Sequence, residues 1–126
     1  MKTLALLLAL AATVQAAPPD SFFRALHIVE TSGRTGAIIG DNGRALGPLQ
    51  IHRAYHADAR IGGDYSRCAD LDYSRRVVTA YLQRYAPAAW AAGDVTTLAR
   101  IHNGGPRGAS KPVTVSYGDK VARLAK

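Results

Sequence analysis

The 126-residue chain carries 16 Lys and Arg against 9 Asp and Glu, a formal net charge of +7, and one cysteine. That length suits a single domain whose core can hold without metal or disulfide staples, and 48% hydrophobic residues exclude a disordered chain. A lone cysteine excludes an internal disulfide, and scattered Lys and Arg without a basic run give nucleic-acid binding no motif.

The chain opens like an address. Met1 and Lys2 form a short positive start, and "TLALLLALAATV" is apolar but too short to span a bilayer. "VQA" at 14–16 is a small-x-small cleavage site. Residues 1–16 are therefore expected to be a signal peptide, cut near Ala16 or Ala17. The mature domain, 17–126, is then secreted or periplasmic, has no integral membrane segment and is expected to be a monomer. Loss of Lys2 alone takes its charge from +7 to +6, which attracts polyanions: cell-wall polymers, anionic lipid surfaces or nucleic acid, among which charge alone does not choose.

Asp20 or Ser21 is expected to cap a first helix running to about Ser32, with Gly33 as its stop. Phe22, Phe23, Leu26 and Val29 recur at helical spacing and face the core. Residues 37–46, "AIIGDNGRAL", read as a hairpin with the turn signal at its centre. Pro48 then opens a helix to about Arg60. A longer helix fits 69–85, where Tyr73, Val77 and Tyr81 form one stripe and Val78, Leu82 and Tyr85 its neighbour. Pro87 lies past its end. Asp94 caps a helix over 95–103, stopped by "NGGP", and "SYGDKVARLAK" forms a terminal helix. The fold class is α+β, helix-dominated, with one small β-hairpin.

Glu30 stands out in the last turn of the first helix. Its i, i+3, i+7 spacing with Phe23 and Leu26 puts it on the apolar face. Burial and the negative end of the helix dipole both disfavour a charged carboxylate there, which suits a general acid. Asp41 begins the hairpin turn, where backbone N–H groups and water can keep it ionised, although Asp also belongs in such turns for its own sake. One carboxyl held towards neutral and one held ionised suit cleavage of a glycosidic bond. His102 and Asn103 end a helix before Gly104-Gly105-Pro106 and either belong to the core or line a cleft. His52 and His56 are spaced i, i+4 but lack the Glu of a metalloprotease motif, and read as an exposed helix face. No G-x-S-x-G frames a serine nucleophile.

These stretches resemble the invertebrate-type (i-type) lysozymes, the group that includes destabilase. The resemblance rests on Glu30 at a helix end; Asp41 followed by "GPLQIHRAYHADA" at 47–59; "CADLDYSRRVVTAYLQRYA" at 68–86; and "ARIHNGGPRG" at 99–108. "SYGDKV" is similar to the family's closing Tyr-x-x-Lys-Val, and His-Asn-Gly-Gly-Pro is the most specific part. The resemblance implies a lysozyme-like fold and hydrolysis of the β-1,4 bond between N-acetylmuramic acid and N-acetylglucosamine in peptidoglycan glycan strands. It assigns the general acid to Glu30 and the nucleophile or ion stabiliser to Asp41. Gln50, Tyr55, His102 and Asn103 then line the cleft, and no metal or organic cofactor is expected.

The chain departs from the family twice. Family members are rich in disulfides, so a single cysteine suggests a disulfide-free, bacterial-style relative. Some members also cleave isopeptide bonds with a serine shortly after the catalytic aspartate. Arg44 stands near that place here, so no isopeptidase activity is expected. Two other readings compete with the muramidase: a lytic transglycosylase using Glu30 alone, and a non-catalytic protein that binds cell wall or polyanions on the same scaffold.

Overall fold

The computed structural model describes residues 17–126. The expected signal peptide, 1–16, lies outside the described residues. Among the described residues, six α-helices and one small sheet run in the order α1 (Asp20–Thr31), β1 (Ile39–Gly40), β2 (Ala45–Leu46), β3 (Ile51–His52), α2 (Arg53–Ala59), α3 (Leu71–Tyr85), α4 (Pro87–Ala92), α5 (Val95–Gly104) and α6 (Val115–Leu124). Helix dominates, as expected. Among the described residues no helix is long and apolar enough to cross a membrane.

The α1 helix buries Phe22, Phe23 and Leu26. Its start differs from expectation. Pro19 is the N-cap residue, and neither Asp20 nor Ser21 caps through its side chain. Asp20 pairs instead with Arg75 at 2.9 Å, and the Ser21 hydroxyl donates to the Ala125 carbonyl at 2.7 Å. Both side chains were drawn away by tertiary partners. The helix ends at Ser32, left-handed at φ 55°, whose N–H reaches back to Ile28. Thr31, buried, donates to the Pro48 carbonyl at 2.8 Å, which fastens the end of α1 to the chain beyond the hairpin.

The hairpin is present. β1 and β2 pair antiparallel, Ile39 with Leu46 and Gly40 with Ala45. Asp41, Asn42 and Gly43 turn the chain at φ 48°, 55° and 86°. Three consecutive left-handed residues are tolerated because Asp and Asn accept that region and Gly is free in it.

The helix expected from Pro48 is a correction. Pro48–Gln50 form a turn with Gln50 at φ 52°, and Ile51–His52 add a third strand, Ile51 against Leu46 and His52 against Ala45. Leu49 and Ile51 are both fully buried along this path. α2 therefore starts at Arg53.

α3 is the central helix. Asp70 caps it by accepting from the N–H of Asp72 and Tyr73, and Tyr73, Val77, Val78, Tyr81 and Leu82 are buried along it. α4 was not anticipated. Pro87 does not end the helical structure but opens this short helix at its first turn. Asp94 caps α5 as expected, accepting from the N–H of Thr97. α2 packs on α3, α5 on α6, and α6 on α1, so the two ends of the described chain meet.

Candidate active site

One cleft of about 670 Å³ lies between the end of α1, the hairpin, α2 and the end of α5. Glu30, Asp41, Gln50, Tyr55, His102 and Asn103, the six residues singled out in the sequence, all line it. The Thr31–Pro48 hydrogen bond explains why Glu30 and Asp41 face a common space: it holds the end of α1 against the chain that leaves the hairpin.

The two acids sit in different surroundings. The Glu30 side chain is 18% exposed and the Asp41 side chain 43%. Glu30 Oε1 accepts from the Tyr117 hydroxyl at 2.5 Å and lies 3.6 Å from His102 Nε2. His102, buried, is held in turn by Tyr55, whose hydroxyl lies 2.9 Å from Nδ1. Tyr55 stacks flat on Tyr81, with ring centroids 3.6 Å apart. Burial pushes the Tyr55 phenol well above its ordinary value, with Tyr81 and then Glu30 adding to it. The hydroxyl therefore keeps its proton and can donate to Nδ1.

Asp41 is gripped from both sides. Oδ1 accepts from Arg44 at 3.0 Å, and Oδ2 lies 3.0 Å from His52 Nε2. Neither partner was anticipated. The reading of His52 and His56 as one exposed helix face is therefore corrected. His52 belongs to β3 and turns towards Asp41, whereas His56 Nε2 lies 2.7 Å from the Tyr73 hydroxyl. The i, i+4 spacing failed because a strand ends between the two histidines.

Gln50 lines the cleft, but its amide nitrogen is occupied. It donates to the carbonyls of Ile38 at 3.1 Å and Gly47 at 3.0 Å. Only the side-chain oxygen is left to accept from a ligand. Asn103 is exposed at the rim. Asp58 and Tyr81 also line the cleft and were missed. For Asp58 the available signal was its i+3 spacing from Tyr55 on α2.

Buried phenols and the buried thiol make the fold sensitive to alkali. Burial raises Tyr81 to about 12 and Cys68 to about 11, and it lifts Tyr55 and Tyr117 well above 10.0. These groups keep their protons longer when folded than when unfolded, so their contribution is intact below pH 9 and falls as pH rises past the unfolded values. Each costs up to about 1.4 kcal/mol per pH unit in that window. Urea unfolding is expected to show a lower midpoint at pH 10.5 than at pH 8. An unchanged midpoint would contradict the burial assigned to these side chains.

No protein-family model matches the chain. Individual relatives do. Over 85 residues it is 39% identical to a lysozyme of the oyster Ostrea edulis, a match covering 64% of this chain and 61% of the relative. It is 33% identical to invertebrate-type lysozyme 6 of Caenorhabditis elegans, covering 64% of this chain and 67% of that one. The chain belongs to the invertebrate-type lysozyme family. A solved structure agrees: inhibitor-bound lysozyme from Meretrix lusoria superposes with a TM-score of 0.71 at 28% identity, covering 85% of this chain and 90% of that one. The chain spans 61% of the Ostrea edulis lysozyme and only 45% of lysozyme 1 from Crassostrea virginica. The family member described here keeps the lysozyme fold with one buried free cysteine, Cys68.

Proposed function

We propose that this chain is an exported muramidase: residues 1–16 direct export, and 17–126 form a catalytic domain that cleaves the β-1,4 bond between N-acetylmuramic acid and N-acetylglucosamine. The observation that supports this most is the pairing of Glu30 and Asp41 across one cleft, one shielded and one open to solvent. Glu30 protonates the leaving glycosidic oxygen. Asp41 attacks or stabilises the oxocarbenium-like centre, and a retaining route needs the carboxyls roughly 5–5.5 Å apart. Asp41 keeps Arg44 and His52 as partners. Asn103 and the free oxygen of Gln50 bind sugar polar groups, while His102 and Tyr55 hold the wall of the cleft. The positive charge favours adsorption to an anionic wall, and the protein acts as a secreted or periplasmic monomer.

The test is the mass of the products released from purified peptidoglycan by the protein. Reducing muramic-acid ends establish hydrolysis, anhydro ends a lytic transglycosylase, and no soluble product a wall-binding protein. The transglycosylase alternative gains some weight from Asp41, because both of its oxygens are engaged. Asp41→Asn separates the two. A two-carboxylate hydrolase should lose about 10²–10³-fold in kcat, and a Glu30-only enzyme should lose little.

A further inference from the structure

Tyr117 does not line the cleft, yet it touches the candidate acid. Its hydroxyl donates to Glu30 Oε1 at 2.5 Å across 87 residues of chain. Burial, and after it the Glu30 charge, lift the Tyr117 phenol well above its ordinary value, so the proton it donates stays in place. α6 cannot easily withdraw the ring. Val121 is fully buried beneath the helix, and the Ser21–Ala125 hydrogen bond ties its C-terminal end to α1. Gly118, next to Tyr117, lies so close to α5 that a Cβ there would come 2.7 Å from Arg100 Cγ and 3.3 Å from the Thr96 carbonyl oxygen. A small residue at 118 lets α6 approach far enough for Tyr117 to reach Glu30.

We infer that Tyr117 is a positioning residue for Glu30: its hydroxyl, delivered by α6, fixes the carboxyl in the cleft and stabilises its ionised form. This rests on the reading of Glu30 as the proton donor. Three titratable groups bear on Glu30: Tyr117 from α6, His102 from α5, and Tyr55 from α2, which acts chiefly through His102. Of these, only Tyr117 lies within hydrogen-bond distance of the carboxyl. When Glu30 passes its proton to the leaving oxygen, negative charge develops on the carboxyl. The Tyr117 hydrogen bond then strengthens, because a bond to a charged acceptor exceeds one to a neutral acceptor. That gain arises in the transition state and acts on kcat more than on KM.

The test follows the Glu30 carboxyl by carbon-13 NMR through a pH titration, in the wild type and in Tyr117→Phe, alongside the pH profile of kcat/KM. In the variant the titration midpoint of Glu30 is expected to rise by about one pH unit, with the alkaline limb of the profile following it. kcat should fall about tenfold with KM little changed. An unmoved midpoint, or a raised KM at unchanged kcat, overturns the inference. A reciprocal measurement covers the case in which Tyr117→Phe does not fold. In Glu30→Gln the Tyr117 phenol should titrate at lower pH than in the wild type, and an unchanged phenol also overturns the inference. A shifted midpoint in a protein that cleaves no peptidoglycan would support the positioning contact and sink the muramidase reading.

Discussion

Glu30→Gln is expected to abolish glycan cleavage while leaving the fold intact. Gln has the same shape, and its side-chain oxygen can still accept from Tyr117, so the contact at 2.5 Å between α1 and α6 survives. What Gln cannot do is donate a carboxylic proton to the leaving oxygen. General acid catalysis is worth about 10²–10⁴-fold, and the loss should fall in that range or beyond it. The release of reducing ends from peptidoglycan measures the loss, and a thermal melt checks the fold. A Glu30→Gln protein retaining more than about a tenth of wild-type activity would place the acid elsewhere, since even the low end of that range exceeds tenfold. Besides Asp41, the other carboxyl lining the same cleft is Asp58.

Gly47→Ala is expected to be the most damaging single methyl group in the hairpin region. Gly47 stands at φ 85°, and a Cβ there would lie 1.7 Å from the Cys68 carbonyl oxygen and 2.7 Å from its carbon. Backbone cannot swing aside as a long side chain can. The left-handed conformation costs about 1–3 kcal/mol for a residue with a side chain, and relieving the overlap about 1–3 more. Together these approach a large share of the total stability of a small domain. Activity should fall further than stability alone explains, because β2 and the turn carrying Asp41 would move with Gly47. Urea unfolding gives the first quantity. Activity of the fraction still folded gives the second. A loss below about 1 kcal/mol would mean that the Cys68 segment yields easily.

Much of the architecture was legible because its signals are local. Asp94 ahead of a helical stripe marks the start of α5, and the Val77/Tyr81 and Val78/Leu82 pairs mark the buried face of α3. The Asp-Asn-Gly turn marks the hairpin. The six cleft residues were legible from a family resemblance added to the odd placement of Glu30. What escaped depends on contacts across the chain. β3 is two residues long, too short for any period to show, and it exists because Leu46 pairs with Ile51. Pro48 looked like a helix start, but burial of Leu49 and Ile51 redirected the chain. His52 became a partner of Asp41 only once the third strand formed. Tyr117 sits in a polar stretch and carries no local mark of its contact with Glu30.

That contact also sets an order of assembly. Closing residue 30 on residue 117, and Ser21 on Ala125, joins the first described helix to the last. Contacts this distant in sequence form late, and a chain made from its N-terminus holds Glu30 long before α6 exists. Through synthesis the candidate acid is present without the hydroxyl that holds it. Only a chain finished through α6 can give Glu30 that hydrogen bond, so a fragment stopping short of Val115 should lose at least the roughly tenfold in kcat expected of Tyr117→Phe, even if its earlier helices form.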